Sequence, residues 1–324
     1  MIYPIATASY SPYDQTMRHL AFFLVLIPAL AQQQQPSQTN VYTYDANGAR
    51  VLASQQTSSA GAAQQSARNM NGRVAPLEQV EEKVVSDDAN GRVVEKLVRP
   101  FDANGVPQPP QRIRVTERKQ PDGAKSVDTQ VFHGNINGGF SLAERRQALE
   151  RTSDGRVTIE TQIARPTLNG GLDTVEKRTS TVTTAGEKVN ADTLTYRRDS
   201  NGTFYTAARE VKETDKKNGV TIENTATYVS GDRRQLELAG QTVAETTKNA
   251  DGSEVRQVNV FGTGAPGRPA TGQPVLREQQ IIEKNKTANG VVETFSIRRP
   301  AVDNPNALGP AQKISEKVCT GPCQ

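Results

Sequence analysis

The chain has 324 residues, 35% of them hydrophobic and 5% aromatic, with no Trp and a net charge of +4 from 39 basic and 35 acidic side chains. Ordinary globular domains carry roughly 45–50% apolar residues with glycine counted, so a thin core is expected. The bases are interspersed with the acids and few aromatics accompany them. Nucleic-acid binders gather bases on a stripe and stack aromatics, so nucleic acid is not an expected partner.

The first address lies near the N-terminus. Met17-Arg18-His19 is a short basic start, residues 20–27 are an unbroken apolar run, and Pro28-Ala29-Leu30-Ala31 ends in an A-x-A pattern. This reads as a secretory signal peptide, 17–31, cut before Gln32. The apolar run is shorter than the roughly 20 residues a bilayer-spanning helix needs, and no transmembrane helix is expected in the mature chain. Residues 1–16 fit no targeting segment, which makes Met17 the expected start of translation.

Residues 32–76 read as a polar tether. It contains one irregular hairpin, Val41 to Val51, and a Gln, Ser and Ala stretch, residues 54–67, expected to be a flexible insertion.

Regular repeats fill 77–318. Their tight turns place Gly91, Gly123, Gly155, Gly186, Gly219, Gly252 and Gly290 at intervals of 32, 32, 31, 33, 33 and 38 residues. In Asp88-Ala89-Asn90-Gly91 the aspartate can bond the backbone two residues on, and glycine suits the left-handed conformation that side chains resist. Val- and Thr-rich alternation flanks such turns and predicts β-hairpins. A second marker, Pro100, Pro166 and Pro300, recurs in phase where pairing is expected to stop at longer loops. The predicted fold is all-β: repeated antiparallel hairpins with a period of about 33 residues, forming an extended meander or solenoid-like sheet. Roughly 15 strands at about 4.8 Å each would extend about 70 Å.

An acid recurs on the strand entering each turn: Glu82, Glu117, Glu150, Glu176, Glu213, Glu245 and Glu283, with Glu316 beginning an eighth unit. These acids form either a charged ladder that grips a polymer or a solvated strand face that discourages edge pairing. His133 is the one histidine of the mature chain, so zinc clusters are not expected and any histidine-based triad would be built on it. No phosphate or dinucleotide fingerprint follows a strand, and the turn acids lack the order of a calcium loop. No catalytic, cofactor-binding or metal-binding residues are therefore predicted, and no cofactor. A transmembrane barrel also has tight turns at one end, but it needs an outward apolar band and aromatic girdles, and both faces here carry charge. The tail 319–324 holds Cys319 and Cys323, read as a short-loop disulfide that ties off the last unit.

Tyr42-Thr43-Tyr44-Asp45-Ala46-Asn47-Gly48-Ala49-Arg50-Val51 resembles the YD repeat of Rhs-type secreted proteins, whose pattern is Tyr-x-Tyr-Asp followed by Gly-Arg and an aliphatic residue. Here Ala49 separates the glycine from the arginine. Residues 88–93 and 154–157 keep only the aspartate, glycine, arginine and valine. The resemblance implies a secreted β-shell or surface protein. The expectation from the residues is an exported, non-catalytic β-repeat protein of the periplasm, cell surface or extracellular space, with a cell-envelope polymer or protein as partner. A glycan-binding surface protein and a secreted carboxylate-dependent hydrolase are the alternatives.

Overall fold

The computed structural model describes residues 37–45, 47–58, 63–70, 72–135, 137–232, 234–262, 274–301 and 307–320. The upstream segment 1–16, the export segment 17–31 and Cys323 lie outside them. Every element among the described residues is a strand: β1 (Ser37–Tyr44), β2 (Arg50–Ser58), β3 (Ala63–Met70), β4 (Arg73–Asp88), β5 (Gly91–Pro100), β6 (Gln111–Lys119), β7 (Lys125–Gly134), β8 (Phe140–Ser153) and β9 (Arg156–Pro166). The second half comprises β10 (Leu172–Ala185), β11 (Lys188–Arg198), β12 (Phe204–Lys217), β13 (Val220–Ser230), β14 (Leu236–Lys248), β15 (Glu254–Gly262), β16 (Val275–Thr287), β17 (Gly290–Arg298) and β18 (Gln312–Thr320).

Each strand pairs antiparallel with its chain neighbours, as the turn chemistry predicts, but the sheet does not stay open. β1 pairs with β2 on one side and with β18 on the other, so the ladder closes into an 18-stranded barrel. The expected extended meander or solenoid is thus corrected to a ring. Closure satisfies the row of backbone groups that an open edge would expose. It also recruits the expected tether. The stretch 54–67, expected as a flexible insertion, contributes to β2 and β3, and no break in the sheet falls between residues 76 and 77.

The first rim is built mainly of tight turns. At the first rim Asp154-Gly155 and Asn218-Gly219 each adopt positive φ at both residues, 49° and 74° in one and 52° and 78° in the other, as a two-residue hairpin matched to strand twist requires. Gly91 is needed for a different reason. A Cβ there would overlap the Glu117 carbonyl oxygen of the neighbouring strand, and at Gly290 one would overlap the Cys319 carbonyl oxygen. Gly91→Ala is expected to cost about 2 kcal/mol or more, because the β6 backbone must move. Gly123→Ala meets no neighbour and should cost about 1 kcal/mol for its left-handed φ alone. Urea midpoints of the two variants check this; equal losses would remove the close-approach argument.

At the second rim the turns after β1, β5, β7, β9 and β11 share one geometry. In the first, Asp45 N–H donates to Ala49 O at 3.1 Å and Gly48 N–H to Asp45 O at 3.0 Å; Gly105, Gly138, Gly170 and Gly202 repeat the pattern. These connections span at least residues 45–49, 135–139, 167–171 and 199–203, longer than first-rim turns such as 89–90, 154–155 and 218–219, in line with the expected longer loops at that end. Longer connections follow Pro100 and Pro300, each pinned by an isolated bridge, Phe101 to Pro107 and Pro300 to Leu308. After Pro166 the chain turns within residues 167–171.

Eight of the even-numbered strands, all but β6, carry a one-residue bulge toward the second rim. Bulges bend a strand and raise its twist, which helps a sheet to curl.

Following the register round the ring assigns every side chain to one of two faces. Ile163, Ala191, Ala244, Thr246 and Ile297, the buried strand residues, all fall on the same face. Side chains on the concave side of a closed sheet converge and lose exposure, so this is the inner face. The core is otherwise thin, as expected: beyond these five strand residues the buried hydrophobics of the described chain add only Ala124. A ring of eighteen strands spaced about 4.8 Å has a circumference of roughly 86 Å, too wide for side chains to fill as they do in eight-stranded barrels. The wall therefore rests on its ladder and on cross-strand side-chain pairs.

Candidate functional site

Three charged constellations stand out on this wall. The first lies on the inner face. Glu223 on β13 accepts from Lys212 Nζ on β12 at 2.5 Å and pairs with Arg256 Nη2 on β15 at 2.5 Å. To reach it, Arg256 crosses β14, and its Nη1 donates to Thr246 Oγ1 at 3.1 Å. The arginine spans the small side chains of Ala244 and Thr246, which accounts for their burial. Burial is the largest influence on the Glu223 carboxyl and would raise its pKa. The hydrogen bonds and charges of Lys212 and Arg256 together outweigh it and hold the group below the ordinary glutamate value.

A related arrangement repeats round the inner wall. Glu144, the residue after the β8 bulge, is met by Arg146 at 2.5 Å and Arg165 at 3.1 Å. Glu176, after the β10 bulge, is met by Arg178 at 2.6 Å and Arg197 at 3.2 Å. Glu278, after the β16 bulge, pairs with Arg299 at 3.3 Å and accepts from Gln280 at 3.1 Å. In each case the distant arginine follows its glutamate by 21 residues. These carboxylates are held by neighbouring bases and are poorly placed to act as proton acceptors.

The second constellation is the seam where the ring closes. Glu316 on β18 accepts from Tyr44 Oη on β1 at 3.1 Å and from Lys313 Nζ at 2.6 Å, and it pairs with Arg50 on β2. Arg50 lies over the Tyr42 ring at 3.6 Å, and Lys313 over the Tyr44 ring at 4.8 Å. One carboxylate thus ties the last strand to the first two. Its pKa is lowered, first by the Lys313 hydrogen bond, with Tyr44 and the Lys313 and Arg50 charges adding to the effect against burial.

The third is a cavity of about 390 Å³ against β6, β7 and β8, lined chiefly by outer-face side chains that include Arg114, Arg118, Asp128 and Arg145. Arg145 forks onto Asp128, with Nε to Oδ1 at 2.9 Å and Nη2 to Oδ2 at 3.0 Å.

No known protein family matches this chain, and no curated protein is significantly similar to it. Function must be argued from the wall itself.

The predicted residues are dispersed. The glycines from Gly91 to Gly290 line the first rim, where Gly91 stands in register with Arg118 of the cavity on β6. The recurrent acids do not form one ladder. Glu82, Glu117, Glu150 and Glu176 face inward, whereas Glu213, Glu245, Glu283 and Glu316 face outward. His133 is exposed near the second rim. Among the described residues no group of three or more His, Cys, Asp or Glu could hold a metal ion. Cys319 pairs in register with Thr39 of β1 and Val291 of β17, so the expected disulfide loop begins at the closing seam, while Cys323 lies outside the described residues.

Among the described residues neither face offers a continuous apolar band. Toward the second rim the outer face carries cross-strand pairs such as Tyr42 with Leu52, Phe132 with Leu142, Tyr228 with Leu238 and Phe261 with Leu276. Several aromatic rings there lie under cations, as where Arg112 sits 4.7 Å from Phe132 and Lys177 4.5 Å from Phe204. Below them, Arg145 with Asp128 and Arg209 with Asp192 place ion pairs on the surface that a bilayer would have to cover. Among the described residues no helix is long and apolar enough to cross a membrane.

Proposed function

We propose that the chain is an exported, non-catalytic β-barrel serving as a structural or interaction element in the periplasm or at the cell surface. The observation that carries this reading is the distribution of its charged groups. They are spread round the wall at repeat spacing and neutralised in pairs, as in Glu144 with Arg146 and Arg165 and in Glu176 with Arg178 and Arg197. Catalytic carboxylates work as a converged pair with distinct environments. The export half of the reading rests on the sequence of residues 17–31.

The test is fractionation of cells making the tagged protein, with N-terminal mapping and cross-linking mass spectrometry. The expected product begins at Gln32, is found in the envelope or the medium, and cross-links to envelope polymers or proteins. A cytoplasmic chain with residues 17–31 intact would overturn the export half. Turnover of a substrate abolished by changing one carboxylate would overturn the non-catalytic half. The second reading, a glycan-binding surface protein, is favoured by the polar cavity at β6, β7 and β8, whose size suits a sugar unit.

A further inference from the structure

We infer that the outer-face cavity at β6, β7 and β8 is a binding site for an oxyanion, a carboxylate, phosphate or sulfate carried on a small polar body. It gives the glycan reading a chemical form but depends on neither export nor the barrel's wider role.

Period-two alternation puts Arg114, Thr116 and Arg118 on one face of β6, and the register brings Asp128 of β7 and Arg145 of β8 alongside on that face. The lining thus carries three guanidinium groups and one carboxylate. That carboxylate is already committed, because Asp128 accepts both donors of the Arg145 fork. Two of the five Arg145 N–H donors are spent on it, and the rest are left for a ligand. Arg114 comes no closer than 3.8 Å to its nearest acid, Glu95, beyond hydrogen-bond reach. The Arg118 guanidinium has no hydrogen-bond or ion-pair partner among the described residues. The lining residues therefore carry a net charge of +2, three guanidinium groups against Asp128, with Glu95 just outside at 3.8 Å from Arg114, and planar forks match the two oxygens of a carboxylate or phosphate. On β12, by comparison, the outward Arg209 is met by Asp192 at 2.7 Å. At β6 the contact of Arg114 with Glu95 is looser, at 3.8 Å, and a cavity lies beside it. The volume of about 390 Å³ exceeds that of a bare ion and suits one bearing a sugar-sized body, for which Ser126 and Gln130 supply neutral hydrogen-bonding groups.

The experiment is isothermal titration of the full chain with glucuronate, glucose 6-phosphate and neutral glucose at low salt. The two anionic sugars are expected to bind with dissociation constants of about 1 mM or tighter and to weaken with added salt, whereas glucose should show no binding. A preference between the two anions identifies which oxyanion source the site takes. Arg114→Gln and Arg118→Gln should each lower affinity about tenfold, the loss expected for one charge-assisted hydrogen-bonding group. Both positions lie on the wall's surface, and circular dichroism checks that the strands persist. Asp128→Asn frees the Arg145 fork and should tighten anion binding several-fold, an outcome that a damaged barrel would not give. Equal binding of glucose, undiminished affinity in the double arginine variant, or no anion binding at millimolar concentration would each overturn the inference.

Discussion

Replacing Val41 by proline is expected to open the barrel. Val41 lies in the middle of β1, opposite Lys317 of β18 on one side and Ser54 of β2 on the other. In a closed ring every strand is central, so the lost N–H and the bulk of the ring cannot be turned toward solvent, and the local cost is about 3 kcal/mol or more. The consequence exceeds that local cost. β1 is eight residues long and carries little apolar surface, so once its pairing with β18 fails, Glu316 loses Tyr44 and the ladder gains unpaired edges. Exposed edges template pairing with other chains. Size-exclusion chromatography with light scattering should therefore show the variant as oligomers or aggregate where the parent runs as a single closed species, with its urea midpoint lowered. A variant that stays the size of the parent with the same midpoint would mean that the β1–β18 seam does not hold the ring.

That seam is also where the sequence is least legible. The turns can be read locally: Asp154-Gly155 and Asn218-Gly219 announce their hairpins within two residues. A second series, Asn104-Gly105, Asn137-Gly138, Asn169-Gly170 and Asn201-Gly202, carries the same signal half a period later and marks the other rim. It marks where the chain reverses at the far end of each hairpin but carries no information on whether the lateral edges meet. Closure itself rests on a contact such as Thr320 Oγ1 to Gln38 O, 282 residues apart, and nothing in the local pattern of β1 specifies so remote a partner. The stretch 54–67 shows the same limit. The Gln, Ser and Ala residues of 54–58 and 63–67 have weak strand preference, and pairing with β1 and β4 decides their conformation. The inner charge clusters escape notice for another reason. Glu144 and Glu176 each follow a one-residue bulge, and a bulge reverses which side chains share a face, so alternation read along the chain does not show which acids gather with arginines on the inner side.

Those clusters bear weight in a wall with so thin a core. Replacing Glu223 by alanine should destabilise the barrel by about 2–3 kcal/mol at pH 7, because Arg256, drawn across β14 to reach this carboxylate, loses its ion-pair partner and Lys212 loses the same contact. The figure is set below that for a fully buried pair because the two cations keep 28% and 36% side-chain exposure, whereas Glu223 keeps 14%. The effect has a defined pH dependence. The Glu223 carboxyl is held below its ordinary value in the folded chain, so its contribution is fully present above the unfolded pKa of about 4.3 and is lost as pH falls through the lower folded value. The gap between parent and variant in urea unfolding should accordingly be largest at neutral pH and close as the carboxyl protonates. Glu223→Gln, which keeps the shape and removes the charge, should fall with the alanine variant and not with the parent. A gap that stays the same at pH 7 and at pH 3 would show that Glu223 acts by filling space, and the inner ring of paired charges would then lose its claim to brace the wall.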